Sequence, residues 1–253
     1  MKKYLIAWGM LAVFAGACQL PLPRIDPFPS DPNAGFVCGD SVWVDIRDGQ
    51  TYRTVFIGGK CWFAQNLNFG EKVNEGTGLT DEQLIEKHCH EDSDSLCHKY
   101  GGLYTLEEAL QGVPRYPNGA AIPPMDDFPI QGVCPDGWHI PSDEEWMALE
   151  RDLGMANFDT LNTINAYRGG SVDAGEKLKH PIEGQCFIPT DQSCGLTRFD
   201  ALLAGNFLSD TIYLPLSLRA SQYWSSTPFH SSGEAYIVRF ISGEFRGVGR
   251  YSY

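Results

Sequence analysis

Cys134-Pro-Asp-Gly-Trp-His-Ile-Pro-Ser-Asp-Glu-Glu-Trp-Met-Ala-Leu-Glu-Arg-Asp-Leu-Gly154 reads as an extended loop running into one well-marked helix. Ser142 is a hydroxyl cap, and Glu145 three residues on completes a capping box. Gly154 supplies the residue at which a helix leaves the right-handed region. This spacing predicts a helix over 142–153. Trp146, Leu149 and Leu153 share one face of it, which makes them core residues. Asp143, Glu144 and Glu145 crowd the first turn, where the helix dipole favours acids without any catalytic role.

Outward from this helix, a shorter one is expected over 105–111, with Thr105 and Glu108 as its box and Gly112 as its stop. Helical character is also expected over 80–87 and, against the turn-forming Asn162 and Asn165, over 157–167. The flanks read as strands. Val42–Arg47 and Thr51–Ile57 surround Asp48-Gly49, a hairpin signal. Toward the C-terminus, Phe199–Phe207, Gln222–Ser226 and Ala235–Ile241 are strand-like, and Ser242-Gly243 turns into Glu244–Tyr251. The class is α+β: antiparallel strands at both ends, two main helices between them, long loops, and no internal repeat.

At the N-terminus Lys2 and Lys3 precede an apolar run from Tyr4 to Phe14, then Ala15-Gly-Ala17 and Cys18. Charge, apolar core and small residues in that order make a secretory signal. The run is too short for a bilayer core, which needs about 20 apolar residues. No second such stretch follows, so no transmembrane helix is expected in the mature chain. Cysteine directly after small residues resembles the bacterial lipobox, with Ala15 where leucine is usual. It implies cleavage of residues 1–17 and a lipid anchor on Cys18. Residues 18–35 carry Pro21, Pro23, Pro27, Pro29 and Pro32, which favour extended polyproline II at about 3.1 Å per residue. They read as a tether, and residues 36–253 as a single domain. Loss of residues 1–17 removes two lysines and no acid, so net charge moves from −13 to −15. That sign excludes nucleic acid and electrostatic adhesion to anionic lipid as partners.

Seven cysteines follow Cys18. In an oxidising compartment disulfides are their default state. Cys89 and Cys97, and Cys186 and Cys194, are neighbours at equal spacing, each pair stapling a short loop. Pairing outward from Asp48-Gly49 sets Arg47 opposite Gln50 and Val44 opposite Arg53, which carries Cys38 toward Cys61 and predicts a Cys38–Cys61 bond. Cys134 is left over as a free thiol. A rival reading gathers His88, Cys89, His90, Cys97 and His98 into a zinc site. Alternation along a strand sends His88 and His90 to opposite sides, and disulfides consume the thiols, so no metal and no cofactor is expected.

Five segments, in order, resemble the Fibrobacter succinogenes major paralogous domain, a family of exported and often lipid-anchored modules. They are Asp48–Tyr52 with Ile57–Leu67, Cys97–Thr105, Cys134–Trp146, Phe199–Gly205 and Tyr223–Thr227. In Trp138–Trp146 and Trp224–Thr227 the family is similar to domains of the C-type-lectin-like fold, which the resemblance therefore implies here. Family members commonly end in Val-Arg-Cys, and that cysteine is a plausible partner for the one matching Cys134. This chain has Tyr251 at that place. Cys134 is then either a buried free thiol, the commoner state of an unpaired cysteine, or bonded to another chain.

Trp138, Trp146 and Trp224 have the look of ligand-stacking residues, but each lies beside an apolar element and is expected in the core. Ser225, Ser226, His230 and Ser231 lack the spacing of a nucleophile elbow. Asp126 and Asp127 read as solvated. The sugar-site triplets of calcium lectins do not occur. The expected function is a non-catalytic domain held to the outer membrane through lipid on Cys18, with a glycan or envelope protein as ligand. Gln19 after the lipid cysteine is in keeping with that membrane, the domain facing the cell surface or the periplasm. Two alternatives stand beside it. One is an accessory subunit of an outer-membrane assembly. The other is an oxidase of the formylglycine-generating kind, with Cys186 and Cys194 as its reactive pair and copper as its metal.

Overall fold

A computed structural model describes residues 31–74, 84–111, 129–156, 166–181, 186–187, 192–209, 212–214, 220–229 and 236–252. Cys18, the apolar N-terminal run, Asp126, Asp127, His230 and Ser231 lie outside them. Contacts divide the chain into two units, 1–34 and Gly35–Tyr253. In the first, the Ala34 amide donates to the Asp31 carbonyl at 3.0 Å and closes a turn.

The second unit opens with β1 (Val42–Val44), β2 (Thr51–Ile57) and β3 (Lys60–Phe63), an antiparallel sheet in the order β1-β2-β3. The β1–β2 register is Val44 opposite Thr51 and Val42 opposite Arg53, two residues from the register expected of a tight Asp48-Gly49 turn. Asp45 is the cause. Its carbonyl accepts from the Gly49 amide at 2.7 Å and its carboxylate takes the Arg47 side chain at 2.9 and 2.7 Å. Residues 45–50 become a wide polar turn, and β1 ends at Val44 rather than Arg47. The β2–β3 hairpin sets Cys61 opposite Phe56, and Cys38 is bonded to Cys61 with Cα atoms 5.9 Å apart.

Next come β4 (Glu71–Lys72) and β5 (Glu86–Lys87), a short parallel pair, then α1 (Asp94–Tyr100) and α2 (Leu106–Leu110). Of the helix expected over 80–87, Glu86 and Lys87 are strand, Leu84 and Ile85 are non-helical, and the rest lies outside the described residues. Helix α1 covers residues for which the sequence predicted no helix. The Cys89–Cys97 bond pins it, and Cys97 and Tyr100 are buried. In α2 the Thr105 hydroxyl accepts from the Glu108 amide, but the Glu108 carboxylate turns inward to the Glu86 amide at 3.0 Å instead of closing a box.

Helix α3 (Asp143–Asp152) has its full capping box: Ser142 Oγ accepts from the Glu145 amide at 3.2 Å, and the Glu145 carboxylate from the Ser142 amide at 2.9 Å. Trp146, Leu149 and Leu153 are buried in the main core with Ile57, Trp62, Phe199, Leu203, Ile241 and Val248. Gly58 allows α3 to lie against the β2–β3 turn: at φ +62° a Cβ there would sit 2.7 Å from the Leu149 amide nitrogen.

The remainder is β6 (Ala166–Arg168), α4 (Ala174–Leu178), β7 (Asn206–Ser209), β8 (Ile212–Leu214), β9 (Ala220–Pro228), β10 (Tyr236–Ser242) and β11 (Val248–Ser252). Four of these strands form an antiparallel sheet in the order β6-β11-β10-β9. Of 157–167, Ala166 and Tyr167 belong to β6; the rest lies outside the described residues. Over 199–205 the expected strand is replaced by extended chain with single bridges, because Arg198 and Asp200 adopt positive φ. After β10 the chain does not pair at once. Residues 243–247 wrap the start of α4, with the Gly175 amide donating to the Arg246 carbonyl at 2.8 Å, and β11 begins only at Val248.

The opening and closing sheets share no ladder; α3 joins them. Its second face is ionic. Glu150 is fully buried and accepts from Arg239 of β10 at 2.6 Å and from Arg168 of β6. Asp143 pairs with Arg239 at 2.7 Å and with Arg250 of β11. Among the described residues no helix is long and apolar enough to cross a membrane.

Candidate functional site

The loop leading into α3 contributes Val133, Cys134 and Gly137 through Pro141 to the lining of a cavity of about 570 Å³. Two anchors hold the loop. The Val133 amide donates to the Ala109 carbonyl at 2.9 Å, and Gly132 at φ +53° permits an approach that a Cβ would block at 2.1 Å. Arg47, carried on the Asp45 turn, donates to the Val133 carbonyl at 2.9 Å. The unexpected β1–β2 turn is thus what braces one wall.

Trp43, Trp62, Trp138, Trp146 and Trp224 all line this cavity, and the chain's only other tryptophan is Trp8. Trp138 lies 4.1 Å from the Phe63 ring and 5.5 Å from Trp43, and Phe36 closes the group at 5.1 Å from Trp43. Deeper in, Trp62 and Trp146 meet at 4.9 Å. Trp146 is 2% exposed and belongs to the core. Trp138 is only half-buried and turns surface toward the cavity, which corrects its assignment as plain core, while half-buried Trp224 packs against the second hydrophobic cluster and lines the cavity as well. The polar atoms of most rings are already engaged. Trp62, Trp146 and Trp224 donate to the carbonyls of Ile57, Trp224 and Tyr104 at 3.0, 3.3 and 3.0 Å. Tyr104 and Tyr223 donate to those of Phe69 and Leu202 at 2.6 and 3.3 Å. Trp43 Nε1 is buried without a hydrogen-bond partner among the described residues.

One end of the cavity is polar. The Glu145 carboxylate meets His139 Nε2 at 2.9 Å and Lys60 Nζ at 3.1 Å, besides its cap bond to Ser142. Burial works to raise its pKa, but hydrogen bonds from His139, the Ser142 amide and Lys60 outweigh it and hold the carboxyl at about 2. A depressed carboxylate stabilises the fold above the ordinary value of 4.5, and that stabilisation is lost as pH falls toward about 2. Native protein should therefore exceed Glu145→Gln by roughly 2–3 kcal/mol near neutral pH, with the gap narrowing steadily below about pH 5. Urea unfolding at a series of pH values measures this; a gap independent of pH would show that the charge is not what matters.

The other acids of that turn act elsewhere: Asp143 in the buried ionic face, Glu144 in a surface pair with Arg151 at 2.7 Å. Cys134 lines the cavity as a half-buried free thiol, pushed up to about 12 by burial despite nearby Arg47. It is not a nucleophile at neutral pH. Ser225 spends its hydroxyl on the Ile237 carbonyl at 2.6 Å.

Two other clusters were candidates for metal. Cys89 and Cys97 are bonded to each other, which removes both sulfurs from the imagined zinc site. Glu176, Cys186 and Cys194 bring potential ligand atoms within 4.8 Å of one another. Cys186 and Cys194 are a disulfide too, and Glu176 is occupied by Lys179 and by the Phe187 amide at 3.1 Å. In this state the pair offers copper no thiolate, so the donor set does not fit that metal.

Sequence reasoning missed Phe36, Trp43, Lys60, Phe63 and His139 as a group. Their only shared signal was aromatic and polar residues clustered around cysteines. The family model of the Fibrobacter succinogenes major domain matches residues 55–248. No curated protein and no solved structure matches the chain.

Proposed function

The chain belongs to the Fibrobacter succinogenes major domain family, and from that premise we propose that it is a non-catalytic binding module of the cell envelope. In this reading residues 1–17 are removed, lipid on Cys18 holds the chain to the outer membrane, residues 18–35 are the tether and residues 36–253 present the ligand site. The domain is C-type-lectin-like in kind, with short helices between antiparallel strands and long loops. The observation that carries the reading is the aromatic cavity. Its volume lies within the roughly 300–1,000 Å³ of small-ligand sites, its walls are mostly apolar, and Lys60, His139 and Glu145 form one polar cluster in its lining. The free thiol in its wall is held protonated, which favours binding over covalent chemistry.

The test uses residues 19–253, which contain the whole Gly35–Tyr253 unit with both hydrophobic clusters and the three disulfides. Probed against glycan and envelope-protein arrays, this chain should bind a defined ligand, and Trp138→Ala should weaken that binding. Failure to bind on both arrays, with recovery from membranes in one defined complex, would replace this reading by that of an accessory subunit.

A further inference from the structure

We infer that the ligand of this cavity is an uncharged planar aromatic ring, not a sugar; the inference rests on the cavity being the domain's binding site. Ring faces are most of what the walls offer, and Trp43 Nε1 adds one buried donor without a partner among the described residues, which a phenolic oxygen can meet. The indole N–H groups of Trp62, Trp146 and Trp224 and the hydroxyls of Tyr104 and Tyr223 are all bonded to backbone carbonyls, so they present carbon to an occupant. A sugar ring carries hydroxyls around its whole edge. Each one buried without a partner carries its full desolvation penalty. An aromatic ring carries no such requirement and gains attraction from each well-placed ring neighbour beyond the area it buries.

The angles between the wall rings support an enclosed ring over a flat sheet of rings. Phe63 lies at 31° to Trp138, and Trp43 at 69°. Faces and edges at several inclinations surround an occupant; a long, flat polysaccharide is better served by coplanar rings. The polar end argues against a charged ligand. Glu145 already has three partners in Lys60, His139 and the Ser142 amide, so the cluster is closed and leaves no bare charge to neutralise an ion. Desolvating an unpaired ion among these rings is costly. Lys60, whose side chain is 53% exposed, leaves room for one polar substituent, such as a phenolic hydroxyl, at that end. The same ring chemistry is available from a free phenol or indole and from a tyrosine or tryptophan side chain in a peptide.

Saturation-transfer NMR on residues 19–253 tests this with p-cresol, indole and a short tyrosine-bearing peptide, against cellobiose and chitobiose. The aromatic probes should bind at least about tenfold more tightly than either disaccharide, a difference of about 1.4 kcal/mol. The peptide arm distinguishes the two sources: peptide well above p-cresol means a protein-borne ring, and parity means a free one. The indole N–H resonances localise the event: in a 1H–15N spectrum those of Trp43 and Trp138, which line the cavity, should shift at saturating p-cresol. Trp138→Ala and Phe63→Leu should each weaken binding, with far-UV circular dichroism and unfolding midpoint confirming which variant remains folded. Disaccharide binding equal to or tighter than the aromatic probes overturns the inference and leaves the binding site standing. Silence from both classes, or aromatic binding without a shift of the Trp43 and Trp138 indole resonances, overturns the inference and the site together.

Discussion

Glu150→Gln is expected to lower the unfolding free energy by about 3–5 kcal/mol, although it removes no atom from the core. The residue is fully buried on α3, and its two oxygens face Arg239 at 2.6 Å and Arg168, which are 0% and 2% exposed in their side chains. Asp143 is the other acid of the cluster and already serves Arg239 and Arg250. Burial opposes charge on Asp143, yet the arginines hold its carboxyl below the usual range. Burial also lowers Arg168, and Glu150 works against that shift. Glutamine preserves shape and one acceptor but leaves three guanidinium groups sharing one carboxylate in a place closed to water. The cost is that of stranded buried charge, not of a cavity. Urea unfolding at neutral pH measures it, and a loss under about 1 kcal/mol would falsify the picture of a dry cluster. Replacing Glu150, Arg168 and Arg239 together by apolar residues of similar volume should cost far less than the single change, because no ion is then left unpaired.

Cys38→Ser with Cys61→Ser is expected to cost about 3–3.5 kcal/mol, the largest effect among the three disulfides. Chain entropy sets the order. The Cys38–Cys61 bond closes a separation of 23 residues, whereas Cys89–Cys97 and Cys186–Cys194 each close 8. The shorter loops should contribute about 2.5 kcal/mol each. The long bond has a second consequence, since Phe36 and Trp43 flank Cys38 and form part of the cavity wall. Ligand affinity should therefore fall together with stability in the Cys38/Cys61 variant, and stay unchanged in the Cys186/Cys194 variant. Unfolding midpoints for the three paired variants, with affinity measured on each, give the comparison. A larger loss from Cys89/Cys97 than from Cys38/Cys61 would contradict the entropic order.

Local chemistry was legible where it was complete within a few residues. The α3 capping box needs only Ser142 and Glu145, and its core face needs only the spacing of Trp146, Leu149 and Leu153. The β10–β11 pairing likewise follows from alternation and a turn. Reading failed where a residue's partner lay far along the chain. The β1–β2 register moved by two around a local turn of Asp45 with Arg47 and Gly49, which the Arg47 bond to the Val133 carbonyl anchors from afar. Glu108 has the spacing of a box residue, yet its carboxylate goes to Glu86. Asp143 looked like a first-turn acid and is instead half of a buried ionic face whose arginines come from three strands.

The opening stretch, Cys134 to Gly154, carries both cases. By itself the sequence determined that a loop runs into a capped helix with one apolar face, because propensity, capping and periodicity act over one or two turns. Only the tertiary structure decided that Trp138 and His139 of that loop face a cavity shared with Phe36, Trp43, Lys60 and Phe63, about a hundred residues earlier. No local rule joins those segments. They meet because the β1–β3 meander, braced by the Cys38–Cys61 bond and the Arg47 anchor, packs on the same helix from which the loop departs.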